Sequence, residues 1–178
     1  MATRVSFDDI LGLPDILSND AFYFVIASVP AGGSGDVLRN LALKCLNTNI
    51  AGSSTEKMTV ALHSHQRNFR GRGIQPQTLS VTYYEDQTMA TYKILKAWKE
   101  FIVGTRSGVS RGFLHDYSTS ATLTVFDHPG NPIMQTTFYN LFITDIPDMA
   151  LDGGSSAPLQ ISVTFSYDYT DADIVPNT

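Results

Sequence analysis

Apolar and polar residues alternate with period two along most of this chain. The clearest run covers residues 159–169. Its apolar members are Leu159, Ile161, Val163, Phe165, Tyr167 and Tyr169. Because neighbouring side chains of a strand point to opposite faces, this run predicts one long strand with a buried face. Residues 41–48, 57–62, 78–83 and 122–125 repeat the pattern and predict further strands.

Two other segments, residues 22–29 and 137–143, are apolar at nearly every position. A strand that is apolar on both faces is usually buried on both faces. We therefore expect the core to cover one face, and the helix or another chain to cover the other. Residues 128–132 combine Pro, Gly and Asn and predict a hairpin loop. Glycine-rich residues at 32–36 and 152–156 predict flexible connectors within a single unit.

One amphipathic helix is predicted at about residues 87–103. Its large apolar residues share one arc at ~100° per residue, and its lysines occupy the other arc. The helix should therefore dock on a sheet. Its expected core anchors are Leu95, Trp98 and Ile102. Asp86 is the expected N-cap and Gly104 the expected C-cap.

Length and composition narrow the fold class. With 178 residues the chain is close to one domain of ~150 residues, and we expect an arm at 1–20 followed by a single domain at 21–178. The pattern predicts a mainly β protein, an antiparallel β-sandwich or barrel of roughly eight strands with one flanking helix. A net charge of −5 counts against a dedicated nucleic-acid binder. No apolar run approaches the ~20 residues of a bilayer span, so we expect no membrane insertion.

Candidate catalytic and metal-binding chemistry is sparse. His63 and His65 would lie on one side of a strand, but a zinc site needs three or four protein ligands and no third ligand stands at motif spacing. Cys45 follows the apolar phase of its segment and is expected to be a small buried hydrophobe. Nucleophile-elbow, phosphate-loop and zinc-protease motifs are absent. We therefore expect no catalytic residue, no metal and no cofactor, and a protein that is not an enzyme.

The one dense basic run lies at residues 67–73, inside a predicted loop at 63–77. It holds Arg67, Phe69, Arg70 and Arg72. RNA-binding segments mix Arg, Gly and aromatic residues in this way. Arginine is also enriched at protein interfaces, where it pairs with carboxylates, and the acidic net charge favours this second reading. The arm holds further candidates for docking on another subunit, namely Phe7, Ile10 and Leu11.

The order of these features resembles the tail tube proteins of contractile-tailed bacteriophages over about residues 22–170. The most specific pieces are residues 79–86 (LSVTYYED), which lead into 92–98 (YKILKAW), and the closing run at 159–169. The resemblance implies a small β-barrel subunit with a flanking helix. Six copies would form a ring, and stacked rings would form a hollow tube inside a contractile sheath, through which DNA passes at infection. The tube proteins of type VI secretion systems and contractile bacteriocins are similar in fold and stay open as alternatives.

The same resemblance implies partners and a location. The partners are other copies of the chain, the tail sheath, the tape measure protein, and the baseplate and tail terminator proteins. The location is the virion tail tube, assembled in the bacterial cytoplasm. Insertion-like loops at 104–118 and 147–157 depart from the shortest members of the family.

Two sets of site residues follow from this assignment. The expected inter-subunit and ring-stacking residues are Arg67, Phe69, Arg70 and Arg72, together with Phe7, Ile10 and Leu11. A basic wall would hold DNA, so we expect a neutral polar face to line the lumen. The candidates for that face are Thr78, Ser80, Thr82, Gln160, Ser162, Thr164 and Ser166. A third alternative is a monomeric ligand-binding β module or small enzyme that uses His63, His65 and the basic run.

Overall fold

The computed structural model describes residues 17–63, 65–74, 76–110, 112–154 and 156–174. Nine strands and three helices lie in this part of the chain. The strands are β1 (Phe22–Ile26), β2 (Cys45–Thr48), β3 (Ser54–Leu62), β4 (His65–Ile74), β5 (Thr78–Tyr84), β6 (Thr119–Phe126), β7 (Pro132–Asp145), β8 (Gln160–Ser166) and β9 (Tyr169–Ile174). The helices are α1 (Gly35–Leu43), α2 (Ala90–Ile102) and α3 (Leu114–Tyr117).

Seven strands form one sheet, and β3 and β4 form a separate hairpin. The order in the main sheet is β1-β6-β7-β8-β5-β2, with β9 also paired to β7. All of these pairings are antiparallel. The mainly β, antiparallel fold predicted from the sequence is thus confirmed.

Strand β7 belongs to both halves of the main sheet. Its first part pairs with β6 on one side and β9 on the other, whereas its last residues, from Phe142 to Asp145, pair with β8. Asn140 lies at the junction and has a φ of +55°. A left-handed residue bends a strand locally, so β7 can pass from one half of the sheet to the other.

The core lies between the buried face of the sheet and helix α2. Leu95 and Trp98 are fully buried and Ile102 is nearly so. The indole of Trp98 packs against Phe165, with ring centroids 5.8 Å apart, and its Nε1–H donates to the Tyr117 carbonyl at 2.9 Å. The predicted apolar arc of the helix therefore faces the sheet because its residues recur with the helical period.

The ends of α2 differ from the prediction. The helix begins at Ala90 and not at 87, because Met89 has left-handed backbone angles and the Asp86 carboxylate accepts from the Thr88 N–H in a separate turn. Asp86 is therefore not the N-cap. Nor is Gly104 the C-cap, since the helix ends at Ile102 and Val103 follows in an extended conformation.

Residues 32–48 also differ from the prediction. The sequence pattern predicts a connector at 32–36 and a strand at 41–48, but the structure has helix α1 followed by the short strand β2. Leu41 and Ala42 are buried next to each other in the last turn of α1. The helical spacing of Leu38, Leu41 and Ala42 prevails over the period-two reading of the same stretch.

The predicted loop at 63–77 is largely a strand. Residues 65–74 form β4 and pair with β3 from Leu62↔His65 to Ser54↔Ile74. The residues of β4 are exposed apart from the partly buried Gly71. The alternation rule misses this strand because neither face of it contacts the core.

The predicted strand at 159–169 is two strands. Strand β8 ends at Ser166, and β9 begins at Tyr169 beside a different neighbour, β7. Tyr167 is still buried, so the apolar alternation continues through the break and hides it. The insertion-like loop at 104–118 also contains structure, because it ends in helix α3.

Candidate assembly surfaces

One face of strands β5 and β8 is a ladder of hydroxyl groups. The register places Thr78 opposite Ser166, Ser80 opposite Thr164 and Thr82 opposite Ser162. Six of the seven residues predicted to line a lumen therefore pair across two neighbouring strands, and the seventh, Gln160, extends the same face. The Thr82 and Ser162 hydroxyls are hydrogen-bonded at 3.1 Å, and Thr82 is itself largely buried. The ladder carries no charged side chain.

The opposite face of the same two strands is buried. Its side chains are Leu79, Val81, Tyr83, Ile161, Val163 and Phe165. A slip of one position along a strand would exchange its two faces, so burial of the apolar side chains on one face also fixes which side chains lie on the other face. The core therefore holds the hydroxyl ladder in place.

The hairpin β3–β4 presents the basic run to solvent. Arg67, Phe69, Arg70 and Arg72 are all exposed, and the Arg67 guanidinium lies 5.3 Å from the centre of the Phe69 ring. Arg70 stands opposite Lys57 in the hairpin register. Like charges directly opposite each other destabilise a strand pair. The two ion pairs in the part of the chain that the structure describes involve none of these arginines, so the hairpin offers unneutralised positive charge.

Acidic side chains occupy the other end of the β5–β8 pair. The hairpin leads into β5 at Thr78, and Thr78 pairs with the last residue of β8. The loop between β7 and β8 leads into Gln160 at the opposite end, where Gln160 pairs with Tyr84, the last residue of β5. Seven residues of strand separate these ends by roughly 20 Å. The loop carries Asp148 and Asp152, both exposed, and Asp152 lines a shallow groove together with Gln160 and Ser162.

The histidines and the cysteine do not form a metal site in the described residues. His63 lies in the turn of the hairpin with a φ of +52°, and His65 begins β4. No group of three or more His, Cys, Asp or Glu side chains that could hold a metal occurs within the described ranges. Cys45 is half-buried, and burial raises the pKa of its thiol to about 12. Among the described helices, none has the length and apolarity to cross a bilayer.

Several residues that position these surfaces were not predicted. The Glu85 carboxylate accepts from the Thr91 and Tyr92 N–H groups, at 3.3 and 2.7 Å, and so caps helix α2 from outside. The Lys99 ammonium donates to the Thr144 carbonyl at 2.7 Å and ties the helix to β7. The sequence gives only a weak signal for these contacts, an acid before a helix start and a lysine near its end. The arm residues Phe7, Ile10 and Leu11 lie outside the described residues.

Comparison with known proteins gives a family and a fold. The family model described as phage tail tube protein matches residues 15–170. No curated protein matches the sequence. A solved structure titled as the sheath/tube terminator of an extracellular contractile injection system, PVC, aligns with a TM-score of 0.64 at 10% identity, over 91% of this chain and 99% of that one.

Two further structures have a similar fold. The PVC sheath-tube complex gives a TM-score of 0.59 at 11% identity, over 96% of this chain and 99% of that chain. A type six secretion system protein gives 0.55 at 14% identity, over 89% of this chain and 85% of that chain. At these identities the similarity concerns the fold.

Proposed function

The chain belongs to the phage tail tube protein family, and we propose that its copies form hexameric rings that stack into the inner tube of a contractile phage tail. The family membership confirms the resemblance predicted from residues 79–86, 92–98 and 159–169. The role is therefore structural. The likeness in fold to chains from contractile injection systems supports the contractile type of tail.

The single observation that carries the stacked arrangement is that the basic hairpin and the acidic loop lie at opposite ends of the β5–β8 pair. Positive charge projects on the hairpin β3–β4 at one end, and Asp148 and Asp152 lie at the other. Two copies placed head to tail would bring the arginines of one copy to the aspartates of the next. A contact between unlike surfaces that does not close repeats indefinitely, which is the geometry of a tube. Such a contact would also neutralise the like-charged pair Lys57 and Arg70.

Ring formation within one layer is supported by the free edges of the sheet. Strands β1, β2 and β9 each pair on one side only in the described part of the chain. A free edge exposes unpaired N–H and C=O groups, which proteins normally cover or guard with charge. A heterologous interface that closes by rotation would satisfy an edge of this kind, such as that of β9, within a ring.

The hydroxyl ladder is proposed to line the lumen. Each Lys or Arg that neutralises a phosphate adds affinity for DNA by releasing counterions. The ladder residues are uncharged, and most of them are exposed or half-exposed. A wall of this kind would stay hydrated and let DNA slide. Thr82 is buried, so it would stabilise the strand pair without lining the lumen.

A charge exchange between two variants tests the stacking contact. The variant R70E/R72E should stay monomeric or form single rings, because its hairpin repels the acidic loop of another copy. The variant D148K/D152K should fail in the same way for the opposite reason. A mixture of the two variants should form tubes again. The acidic hairpin of R70E/R72E can then contact the basic loop of D148K/D152K, and the basic hairpin of D148K/D152K can contact the acidic loop of R70E/R72E. Electron microscopy of negatively stained samples and light scattering measure the outcome.

A matched control is R39E/R106E, which reverses two exposed arginines outside the hairpin and should leave tube formation intact. Tubes formed by R70E/R72E alone would contradict the stacking proposal. Tubes in the wild type with no recovery in the mixture would contradict the hairpin-to-loop pairing but not the tube. A wild type that persists as a 19.5 kDa monomer would contradict the tube itself and favour the ligand-binding module.

The remaining partners follow from the same proposal. We expect the outside of the tube to contact a sheath, and its ends to contact baseplate and terminator proteins. A tape measure protein would occupy the lumen before DNA does. Assembly would take place in the host cytoplasm and the product would be part of the virion. Quantitative mass spectrometry of purified phage particles should find the chain at a copy number per particle that is a multiple of six.

The tube of a type VI secretion system or a contractile bacteriocin is the second candidate. The fold likeness to a type six secretion system protein favours it. Neighbouring genes distinguish the two, because portal and tape measure genes accompany a phage tail, whereas a secretion ATPase accompanies a secretion tube.

A further inference from the structure

A groove runs between the two ends of the main sheet, beside strands β1 and β2. It encloses about 740 Å³. Its apolar walls include Leu17, Phe22, Leu43, Ile50, Tyr84 and Val125. Because β1 and β2 are the first and last strands of the sheet order, the groove lies where the sheet does not close on itself.

Several large apolar side chains on the walls of the groove are exposed. Leu43 is 65% exposed, Ile50 is 59% exposed and Leu17 is 50% exposed, and all three line the groove. Single exposed leucines are ordinary, but several around one concavity indicate a surface that another group covers.

Unsatisfied hydrogen-bonding groups lie in the same place. Thr48 lines the groove, but its hydroxyl is buried beneath the groove surface, where it has no hydrogen-bond partner within the part of the chain that the structure describes. Strands β1 and β2 also leave one edge each without a described partner strand. An open strand edge exposes unpaired N–H and C=O groups, so the occupant of the groove should bring donors and acceptors as well as apolar side chains.

The chain itself supplies an occupant with this chemistry. Leu17 lies on the groove wall, so the segment that precedes it in the sequence is covalently attached at the groove. This segment includes the apolar side chains Phe7, Ile10, Leu11, Leu13 and Ile16. We propose that residues 7–16 bind in this groove of their own copy, in place of the docking on another subunit that the sequence led us to expect for Phe7, Ile10 and Leu11, and that they cover the apolar walls between β1 and β2.

Distance and tethering favour binding within one copy. A ten-residue segment can extend up to about 33 Å, which is ample for a groove that begins where the segment is attached. A short tether also gives a local concentration of the order of millimolar, well above that of a second copy in dilute solution. The proposal concerns the single subunit and does not depend on tube formation.

Cys45 provides the test, because it lines the groove and is the only cysteine in the chain. The variant L11C is treated with a short bis-maleimide at micromolar protein concentration, at mildly alkaline pH because the thiol is a weak acid. We expect a cross-link between residues 11 and 45 within one chain, identified by peptide mass spectrometry. The control V109C places a cysteine on an exposed loop outside the groove and should give no such cross-link.

A second measurement uses the native cysteine. In F7D/L11D the apolar segment should leave the groove, and iodoacetamide should alkylate Cys45 about tenfold faster than in the wild type. The control T3D/S6D adds the same charge at polar positions and should alkylate at the wild-type rate. Fluorescence of Trp98, the sole tryptophan, verifies that each variant is folded.

Each outcome decides the proposal. An intrachain cross-link together with faster alkylation of F7D/L11D supports it. A cross-link between chains overturns binding within one copy and assigns the segment to a neighbouring subunit. No cross-link, or an alkylation rate unchanged in folded F7D/L11D, overturns the groove as the binding site of the segment.

Discussion

The Asn140 side-chain amide donates to the Asp168 carboxylate at 2.6 Å and joins the bend of β7 to the break between β8 and β9. The backbone supports the same junction, since the Asp168 N–H donates to the Tyr139 carbonyl at 3.0 Å. These contacts hold the two halves of the main sheet together at the point where β7 changes its neighbour. The hydroxyl ladder on β8 therefore depends on a pair of residues outside the ladder.

Removing this pair should destabilise the subunit modestly. We expect D168A to lower the free energy of unfolding by about 1 kcal/mol, because the side-chain bond is exposed and partly replaced by water. N140G loses the same bond but relieves the positive φ at position 140, so it should cost less than N140A. Urea unfolding measures all three. Equal losses for N140G and N140A would contradict the strain argument.

The cap of helix α2 is the second target. E85A leaves the N–H groups of Thr91 and Tyr92 without their acceptor, and Thr91 is buried. We expect a loss of about 1–2 kcal/mol, as for other N-terminal caps. E85Q keeps one acceptor oxygen and should lose less. E56A, which changes an exposed glutamate in the hairpin, is the control and should unfold at the wild-type urea concentration.

The free energy of unfolding should depend on pH through the protonation of the Asp86 carboxylate. Hydrogen bonds from the Lys44 ammonium, at 2.5 Å, and from Thr88 hold the pKa of this carboxylate well below its ordinary value of 3.8. A depressed pKa stabilises the folded state above the ordinary value, and this contribution is lost as the pH falls through the folded-state pKa.

The measurement compares the wild type with D86N from pH 7 to pH 2. The difference in unfolding free energy should be constant above about pH 5 and should shrink below about pH 4, where the unfolded-state carboxyl is protonated first. A difference that stays constant down to pH 2 would contradict the role of Asp86.

Two glycines of the hairpin give a matched pair of variants. A Cβ added at Gly71 would lie 2.7 Å from the Glu56 Cβ and 2.8 Å from the Glu56 carbonyl oxygen, whereas one added at Gly73 meets nothing within 4 Å. We expect G71A to distort the hairpin and impair tube formation without unfolding the subunit, because the hairpin lies outside the core. G73A should form tubes like the wild type. Electron microscopy and the Trp98 fluorescence separate assembly from folding.

The neutrality of the hydroxyl ladder can be tested on assembled tubes. S80R/S162R adds two exposed positive charges to the proposed lumen wall in every subunit. We expect such tubes to retain duplex DNA, with an affinity that falls steeply as salt is raised, whereas wild-type tubes should retain none. Q87R/T105R adds the same charge elsewhere and is the control. Equal retention of DNA by both variants would contradict the placement of the hydroxyl ladder on the lumen wall.

Local pattern determined much of this protein. The period-two pattern in residues 78–83 and 159–166 determines which side chains of β5 and β8 face the core. The helical spacing of the apolar residues in α2 determines that Leu95 and Trp98 pack against the sheet. These properties are readable because each depends on residues that are close in sequence. The resemblance to tail tube proteins, which the family match confirms, rests on the same segments.

The tertiary structure decided the rest. Pairing partners that are far apart in sequence determine where β8 ends and β9 begins. Residues 65–74 pair with β3 although neither face of that strand reaches the core, and this pairing too cannot be read from their local pattern. The groove beside Cys45 exists only because β1 and β2 lie at opposite ends of the sheet order. The distance between the basic hairpin and the acidic loop is likewise set by the register of β5 on β8. A sequence specifies the faces of its own strands, but the neighbours of each strand are selected by packing of the whole chain.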